Sequence, residues 1–195
     1  MNHLAHAYLG NYLHDEAIVG NFVADYARGA VENLPYSDGV KQGITMHRAI
    51  DSFTDAHDAV HAACALIHST QHKYAPIVID VCFDYFIAND WARLSPNIDL
   101  HNFGLHVCNA LQTHEKILPE ILQKRLPTMI QHNFLTSYAK YDGLQFAFQS
   151  IAKRTHFDNK LLTALDDFKQ YETELHVIFN QFFPDLQQMV LSNLP

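Results

Sequence analysis

One almost entirely apolar segment, residues 77–87, limits most strongly what this chain can fold into. It follows Pro76, which fits the first turn of a helix, and two of its residues are carboxylates, Asp80 and Asp84. Their spacing puts them one turn apart on a helix that is otherwise core. Because a buried anion is costly unless it is paired or binds a cation, we expect at least one of them to ligate a metal or act in catalysis. An ion pair with Arg48 is the alternative.

A second polar pattern lies on a predicted helix over residues 43–55. His47, Asp51 and Asp55 follow one another at four-residue intervals, between apolar residues that would seat the helix in a core. An imidazole and carboxylates on neighbouring turns form half of a site for a divalent ion. The alternative is an ordinary amphipathic helix with its polar face in water.

Two further candidates come from the first thirty residues. His6 lies in a short apolar helical pattern, three residues after His3, and is the better ligand candidate of the two. Asp25 lies beside an apolar stripe on a helix predicted over residues 17–33, and Arg28 follows it at the next turn. A simple ion pair between Asp25 and Arg28 is the alternative there.

The remaining pattern is helical throughout and predicts an all-α fold, a single-domain bundle of about seven to nine helices over residues 1–195. The helix that carries His47 is expected to continue through His57 toward His68. Pro127 is expected to kink or break one helix, and Pro184 to interrupt the last helix before a short tail. No strand pattern is present.

Composition narrows the functional classes. A formal charge of −8 argues against a general nucleic-acid binder. The sequence lacks a signal-peptide pattern and a long apolar span, so we expect a soluble, cytoplasmic protein without a membrane partner. The three cysteines lack a paired spacing, which disfavours both a disulfide framework and a thiolate zinc site. Histidine is frequent, 14 of 195 residues, so position has to select among these side chains.

Four motifs together resemble those of the acyl carrier protein phosphodiesterase family. They are Met1-Asn-x-Leu-Ala-His6, Gly20-Asn-x-x-x-Asp25-x-x-x-Gly29, Met46-His-Arg-x-Ile-Asp51 and Asp80-x-x-x-Asp84-x-Phe86. The resemblance extends to residues 182–184. It implies an HD-domain-like helical hydrolase, distantly related to HD-domain phosphohydrolases. It further implies removal of 4'-phosphopantetheine from the serine of holo-acyl carrier protein with a divalent metal, Mn²⁺ first and Mg²⁺ or Fe²⁺ as alternatives.

The resemblance also implies roles for individual residues. The implied metal ligands are His6, Asp25, His47, Asp51 and Asp84. Asp25 and His47 are also catalytic candidates, and Arg48 or Arg28 could balance the charge that develops on the phosphate. Asp80 and Tyr85 are candidates for residues that do not bind the metal themselves but contact its ligands and orient them. Tyr85 stands where the family is expected to have histidine, so it could at most donate a hydrogen bond.

Two other functions stay open at this point. The first is an HD-type phosphohydrolase that acts on a nucleotide or another small phosphodiester, because kinship of fold does not fix a substrate. The second is a non-catalytic helical protein that binds a carrier protein. The two enzymatic functions depend on a metal and on the aspartates, whereas the non-catalytic function predicts that neither matters.

Charge is unevenly distributed along the chain. Residues 1–120 carry six Lys/Arg against fourteen Asp/Glu, whereas residues 121–160 carry six against two. The basic stretch is therefore the expected docking surface for an acidic partner such as a carrier protein. Its leading candidates are Lys124, Arg125, Lys153 and Arg154. The alternative is a solvated basic face, since these residues belong to separate helices.

Overall fold

The computed structural model describes residues 1–155 and 158–194, and within these ranges it contains helices and no β-strand. The α-helices are α1 His3–Gly10, α2 Asp15–Val23, α3 Asp38–Ala56, α4 Asp58–Gln71, α5 Ala75–Asn89, α6 Trp91–Leu94, α7 Leu100–Thr113, α8 Glu120–Gln131, α9 Tyr141–Ala152 and α10 Ala164–Ser192. Short 3₁₀ segments connect several of them, among them Ala24–Tyr26 and Phe134–Ala139. The prediction of an all-α fold is confirmed.

Helix α5 lies at the centre of the bundle, as its apolar sequence predicted. It packs against α1, α4, α9 and α10, and its apolar residues belong to one continuous hydrophobic cluster. Pro76 stands in its first turn, where a missing amide hydrogen costs no helical hydrogen bond. Asp84 is fully buried on this helix, whereas Asp80 is partly exposed. The central helix thus brings the two carboxylates beneath α1.

The pair α2 and α3 packs at unusually close range because two glycines face each other. A Cβ atom added to Gly20 would overlap the carbonyl oxygen of Val40, and one added to Gly43 would overlap the carbonyl oxygen of Ala17. The two backbones therefore touch directly. Helix α2 ends at Val23, earlier than expected, and the 3₁₀ segment that follows turns Asp25 toward α3.

Three further predictions about helix ends were wrong, because one helix ends earlier than expected and neither proline ends its helix. The helix that carries His47 stops at Ala56, because His57 adopts an extended backbone and its ring accepts a hydrogen bond from the Ala59 amide, which caps α4. Pro127 and Pro184 lie inside α8 and α10, which continue past them. In α10, buried residues on both sides of the proline, Phe179, Phe182, Phe183, Leu186 and Val190, keep the helix packed. Packing outweighs the one backbone hydrogen bond that each proline removes.

Candidate metal and catalytic centre

The carboxylate of Asp51 joins two buried histidines at the centre of the candidate site. Its Oδ1 lies 3.1 Å from Nε2 of His6, and its Oδ2 lies 3.0 Å from Nε2 of His47. His47 and Asp51 are one turn apart on α3, and His6 reaches them from α1. The two imidazole rings stack with their centroids 3.9 Å apart. Two helices therefore present both Nε2 atoms to one carboxylate.

Asp25 completes this group from the 3₁₀ segment after α2. Its Oδ1 lies 3.3 Å from Nε2 of His47, and its side chain is 58% exposed. Four of the five predicted ligands thus form one connected group, in which Asp25 contacts His47. A small polar pocket opens here, and its lining residues are Met1, Asn2, His3, His6, Asn21, Phe22, Asp25 and His47.

The two imidazoles of the site differ in protonation, because the pKa of His6 is lowered and the pKa of His47 is raised. Burial lowers the pKa of His6 from 6.5 to about 4, which leaves its ring neutral. Burial acts in the same sense on His47, but hydrogen bonds to Asp25 and Asp51 outweigh it and raise the pKa to about 9. The His47 imidazole likewise lowers the pKa of Asp25. Burial opposes ionisation of Asp51, yet hydrogen bonds from His47 and His6 hold its pKa well below its usual range.

The raised pKa of His47 predicts how the metal-free protein responds to pH. The folded state holds a proton on His47 up to about pH 9, whereas the unfolded chain releases it near the ordinary value of 6.5. The stabilisation is thus fully present below about pH 6.5 and is lost as the pH rises through about 9. Thermal unfolding with a chelator present should show this decline, and His47→Gln should flatten it. An equal decline in that variant would contradict the assignment.

The residues present suit a divalent cation. One ligand atom each from His6, His47 and Asp51 lies within 4.8 Å of the others, so three potential ligands meet at one place. Nitrogen and carboxylate oxygen form a donor set that suits Mn²⁺ or Fe²⁺. The Nδ1 atoms of both rings are buried without a hydrogen-bond partner in the described part of the chain, so the Nε2 atoms carry the polar contacts of each ring.

The structure places Asp84 apart from this group. Its two carboxylate oxygens accept hydrogen bonds from the backbone amides of Leu4 and Ala5, at 2.8 and 2.9 Å. These amides belong to the first turn of α1, where backbone N–H groups have no hydrogen-bond acceptor within the helix. The N-cap residue of α1, Asn2, contributes no side-chain hydrogen bond to them. Burial raises the pKa of Asp84 to about 7, although both amides oppose the shift. We therefore interpret Asp84 as the anchor of α1 rather than as a ligand.

Other predicted site residues occupy different positions from those expected. The Arg48 guanidinium donates to the carbonyl oxygens of Ala27 and Gly29, at 2.8 and 2.9 Å, and so holds the loop after Asp25 rather than pairing with Asp84. Arg28 lies exposed on that same loop. Arg48 therefore holds the loop that follows Asp25, and a role of either arginine toward the phosphate stays a prediction.

The two supporting candidates on α5 have separate surroundings. Oδ1 of Asp80 lies 3.1 Å from the amino group of Met1, which also lies 3.4 Å from Asp51. Tyr85 stacks on Tyr141 with their ring centroids 5.6 Å apart, in an aromatic cluster with Phe168. Asp80 is thus linked to the site through Met1, whereas Tyr85 packs against residues of α9 and α10.

Sequence reasoning gave little weight to two polar residues of the pocket wall. Asn21 is buried, and its Oδ1 has no hydrogen-bond partner in the described structure, while its amide nitrogen donates to Ala17. His3 stacks on Phe22, with ring centroids 5.5 Å apart. Asn21 carries the only polar side chain in the apolar run at residues 18–23, and this was the sequence signal that could have identified it.

The four predicted docking residues are exposed on α8 and just after the end of α9. Lys124 pairs with Glu120 on the surface of α8, with Nζ 2.5 Å from Oε1, and Arg125 lies beside it in the chain. Lys153 and Arg154 directly follow α9. A docking role for these four residues stays a prediction.

Fold and site together define an all-α protein with a histidine–aspartate pocket. The sequence profile of the acyl carrier protein phosphodiesterase family matches residues 1–186, and the chain belongs to that family. Proteins named acyl carrier protein phosphodiesterase from Photorhabdus laumondii and Yersinia enterocolitica are 31% and 30% identical to it, over 96% and 94% of this chain and 94% of each relative. One from Escherichia coli O157:H7 is 32% identical over 94% of both chains.

The comparisons with solved structures found no match. The expected kinship with HD-domain phosphohydrolases therefore stays a prediction. Among the described helices, none is both long enough and apolar enough to cross a membrane.

Proposed function

We propose that this protein is a metal-dependent phosphodiesterase that removes 4'-phosphopantetheine from the serine of holo-acyl carrier protein. The observation that carries the proposal is the carboxylate of Asp51 between the Nε2 atoms of His6 and His47, beside a pocket open to solvent. Membership of the family, and the names of relatives that align over nearly the whole chain, supply the substrate. The same proposal places the protein in the cytoplasm and its substrate in fatty acid biosynthesis.

His6, His47 and Asp51 would hold the cation, with Asp25 as a further ligand or as the proton acceptor. Mn²⁺ is the first choice, with Mg²⁺ and Fe²⁺ as alternatives. When bound, such an ion supplies Lewis acidity, which polarises a phosphoryl oxygen and lowers the pKa of water.

The protein's own groups would position the diester and move the protons. Asp25 lies at the open side of the pocket, where its carboxylate can orient a water and accept its proton. The water oxygen attacks phosphorus, the bond from phosphorus to the serine oxygen breaks, and the serine oxygen takes up a proton. Arg28, on the loop that Arg48 holds, is close enough in sequence to Asp25 to balance charge on the phosphate.

Mass spectrometry of a holo-carrier incubated with the protein tests this proposal directly. With Mn²⁺ the carrier should lose the mass of the whole phosphopantetheine group, and a chelator should stop the loss until Mn²⁺ is restored. Loss of the group with equal rate in chelator would refute the metal requirement. An intact carrier, together with hydrolysis of nucleotides or other small diesters in a substrate panel, would favour the broader phosphohydrolase. Binding of the carrier without any hydrolysis would favour the non-catalytic alternative.

A further inference from the structure

Asn21 has a buried amide oxygen that no group of the described chain binds. The residue is 2% exposed and lines the pocket together with His6. Its amide nitrogen donates to the carbonyl oxygen of Ala17 at 3.0 Å, and this contact fixes the orientation of the amide, because only an N–H group can pair with a carbonyl oxygen. Oδ1 is therefore the free end of the side chain, and within residues 1–155 and 158–194 it has no partner. A buried acceptor without a donor is costly, so we expect a partner from outside the chain.

A second atom in the same condition lies on the neighbouring helix α1. His6 is 4% exposed, and Nε2 of its ring lies 3.1 Å from Oδ1 of Asp51. The other ring nitrogen, Nδ1, is buried and has no hydrogen-bond partner in the described part of the chain. The pocket wall thus contains two unpaired polar atoms, Oδ1 of Asn21 and Nδ1 of His6.

Gly10 determines how closely these two residues approach. A Cβ atom added to Gly10 would lie 2.5 Å from Nδ2 of Asn21, so the backbone of α1 is in contact with the Asn21 amide. His6 precedes Gly10 by one helical turn, which places both on the same face of α1, about 6 Å apart along its axis. The pocket that His6 and Asn21 line has a volume of about 40 Å³. Because a single water needs about 10–15 Å³, the pocket has room for at least one.

Metal binding would change the hydrogen-bonding role of Nδ1. Without metal, Nε2 of the neutral His6 ring faces the Asp51 carboxylate, which only accepts, so Nε2 carries the proton and Nδ1 is an acceptor. A ring that binds a cation through Nε2 carries its proton on Nδ1, which is then a donor. Oδ1 of Asn21 can only accept, so it cannot pair directly with Nδ1 in both states. A water can serve both states, because it donates as well as accepts.

We propose that Asn21 is a positioning residue whose Oδ1 holds a buried water against Nδ1 of His6 and thereby keeps Nε2 of that ring directed at the cation. Without metal, the water donates one hydrogen to Nδ1 and the other to Oδ1. With metal, it accepts from the Nδ1–H group and still donates to Oδ1. The inference rests on the proposed function only for the cation. Loss of such a partner behind a metal-binding histidine typically weakens metal binding by about 10–100-fold.

Asn21→Leu removes the acceptor while nearly keeping the shape of the side chain, and Asn89→Leu is its matched control. Asn89 is exposed and makes the same hydrogen bond, to the carbonyl oxygen four residues earlier. Calorimetric titration should show Mn²⁺ affinity lowered by about 10–100-fold in Asn21→Leu and by less than about threefold in the control. Asn21→Asp should retain most of the affinity, because a buried, protonated carboxyl group can donate to Ala17 and still offer an oxygen to the water.

A high-resolution crystal structure of the wild-type protein tests the water itself and requires no variant to fold. It should show a water within about 2.7–3.2 Å of both Oδ1 of Asn21 and Nδ1 of His6. A direct contact between these two atoms, or another group bound to Oδ1, would overturn the inference.

Wild-type Mn²⁺ affinity in Asn21→Leu would also overturn it, whatever the turnover of that variant. At saturating Mn²⁺, Asn21→Leu should recover turnover of holo-carrier, whereas a residue that contacts the substrate would not allow this recovery. Wild-type protein that binds Mn²⁺ and leaves holo-carrier intact would refute the proposed function alone. The titration and the crystal structure still test Asn21 in that case, because neither requires a substrate.

Discussion

Replacing Asp51 by Asn is expected to lower kcat/KM for holo-carrier by about a thousandfold or more. This carboxylate contacts both His6 and His47, so an amide in its place removes the anion that holds the two rings to one point. Losses of this size are typical when a group that stabilises a phosphoryl transition state is removed. Steady-state kinetics with Mn²⁺ in excess, together with calorimetric measurement of Mn²⁺ binding, check the expectation.

Asp55→Asn is the matched control for that variant. Asp55 lies one turn further along α3, is exposed, and lies outside the group formed by His6, His47 and Asp51. It should keep activity and Mn²⁺ affinity near those of the wild type. Wild-type turnover in Asp51→Asn would remove Asp51 from the mechanism, and equal losses in the two variants would point to a general effect of charge on α3.

Replacing Asp84 by Ala is expected to destabilise the fold by about 2–4 kcal/mol, because it leaves two buried amide donors of α1 without acceptors. In a chain of this size the midpoint of thermal unfolding should fall by roughly 5–15 °C. The buried carboxylate is itself costly, which reduces the loss but does not cancel two orphaned donors. Thermal unfolding of the metal-free protein measures the effect without any contribution from catalysis.

Asp99→Ala gives a comparison at an exposed cap. Asp99 accepts a hydrogen bond from the Asn102 amide at the start of α7, where water can replace it, so its loss should destabilise the fold less than the loss of Asp84. If Asp84→Ala unfolds no more easily than Asp99→Ala, yet loses Mn²⁺ binding, then Asp84 is a ligand and our interpretation of it as an anchor fails.

The sequence allowed the helical class and part of the candidate site's geometry to be predicted, because both depend on local spacing. His47 and Asp51 share a helical face by geometry alone, and their contact was therefore foreseeable. Asp84 was recognised as a buried carboxylate that needs a partner. Its partners are backbone amides eighty residues away, and backbone amides leave no mark in a sequence.

Other features depended on packing between distant segments. The helix break at His57 relies on its ring capping α4, which ordinary helical periodicity does not reveal. The continuation of α10 past Pro184 relies on burial of its phenylalanines against the rest of the bundle. The basic stretch was visible as a count of charges, but the pairing of Lys124 with Glu120 became visible only in the structure.

The close approach of α2 and α3 has a consequence for how the site can vary among related proteins. Gly20 and Gly43 carry no chemistry, yet their bare α-carbons set the distance between the helix that leads to Asp25 and the helix that bears His47. A methyl group at either position would spread the two backbones and widen the gap between these side chains. The pair of glycines therefore marks an intact centre independently of its ligands, and a homologue that has replaced both is a candidate for having abandoned the reaction while keeping the bundle.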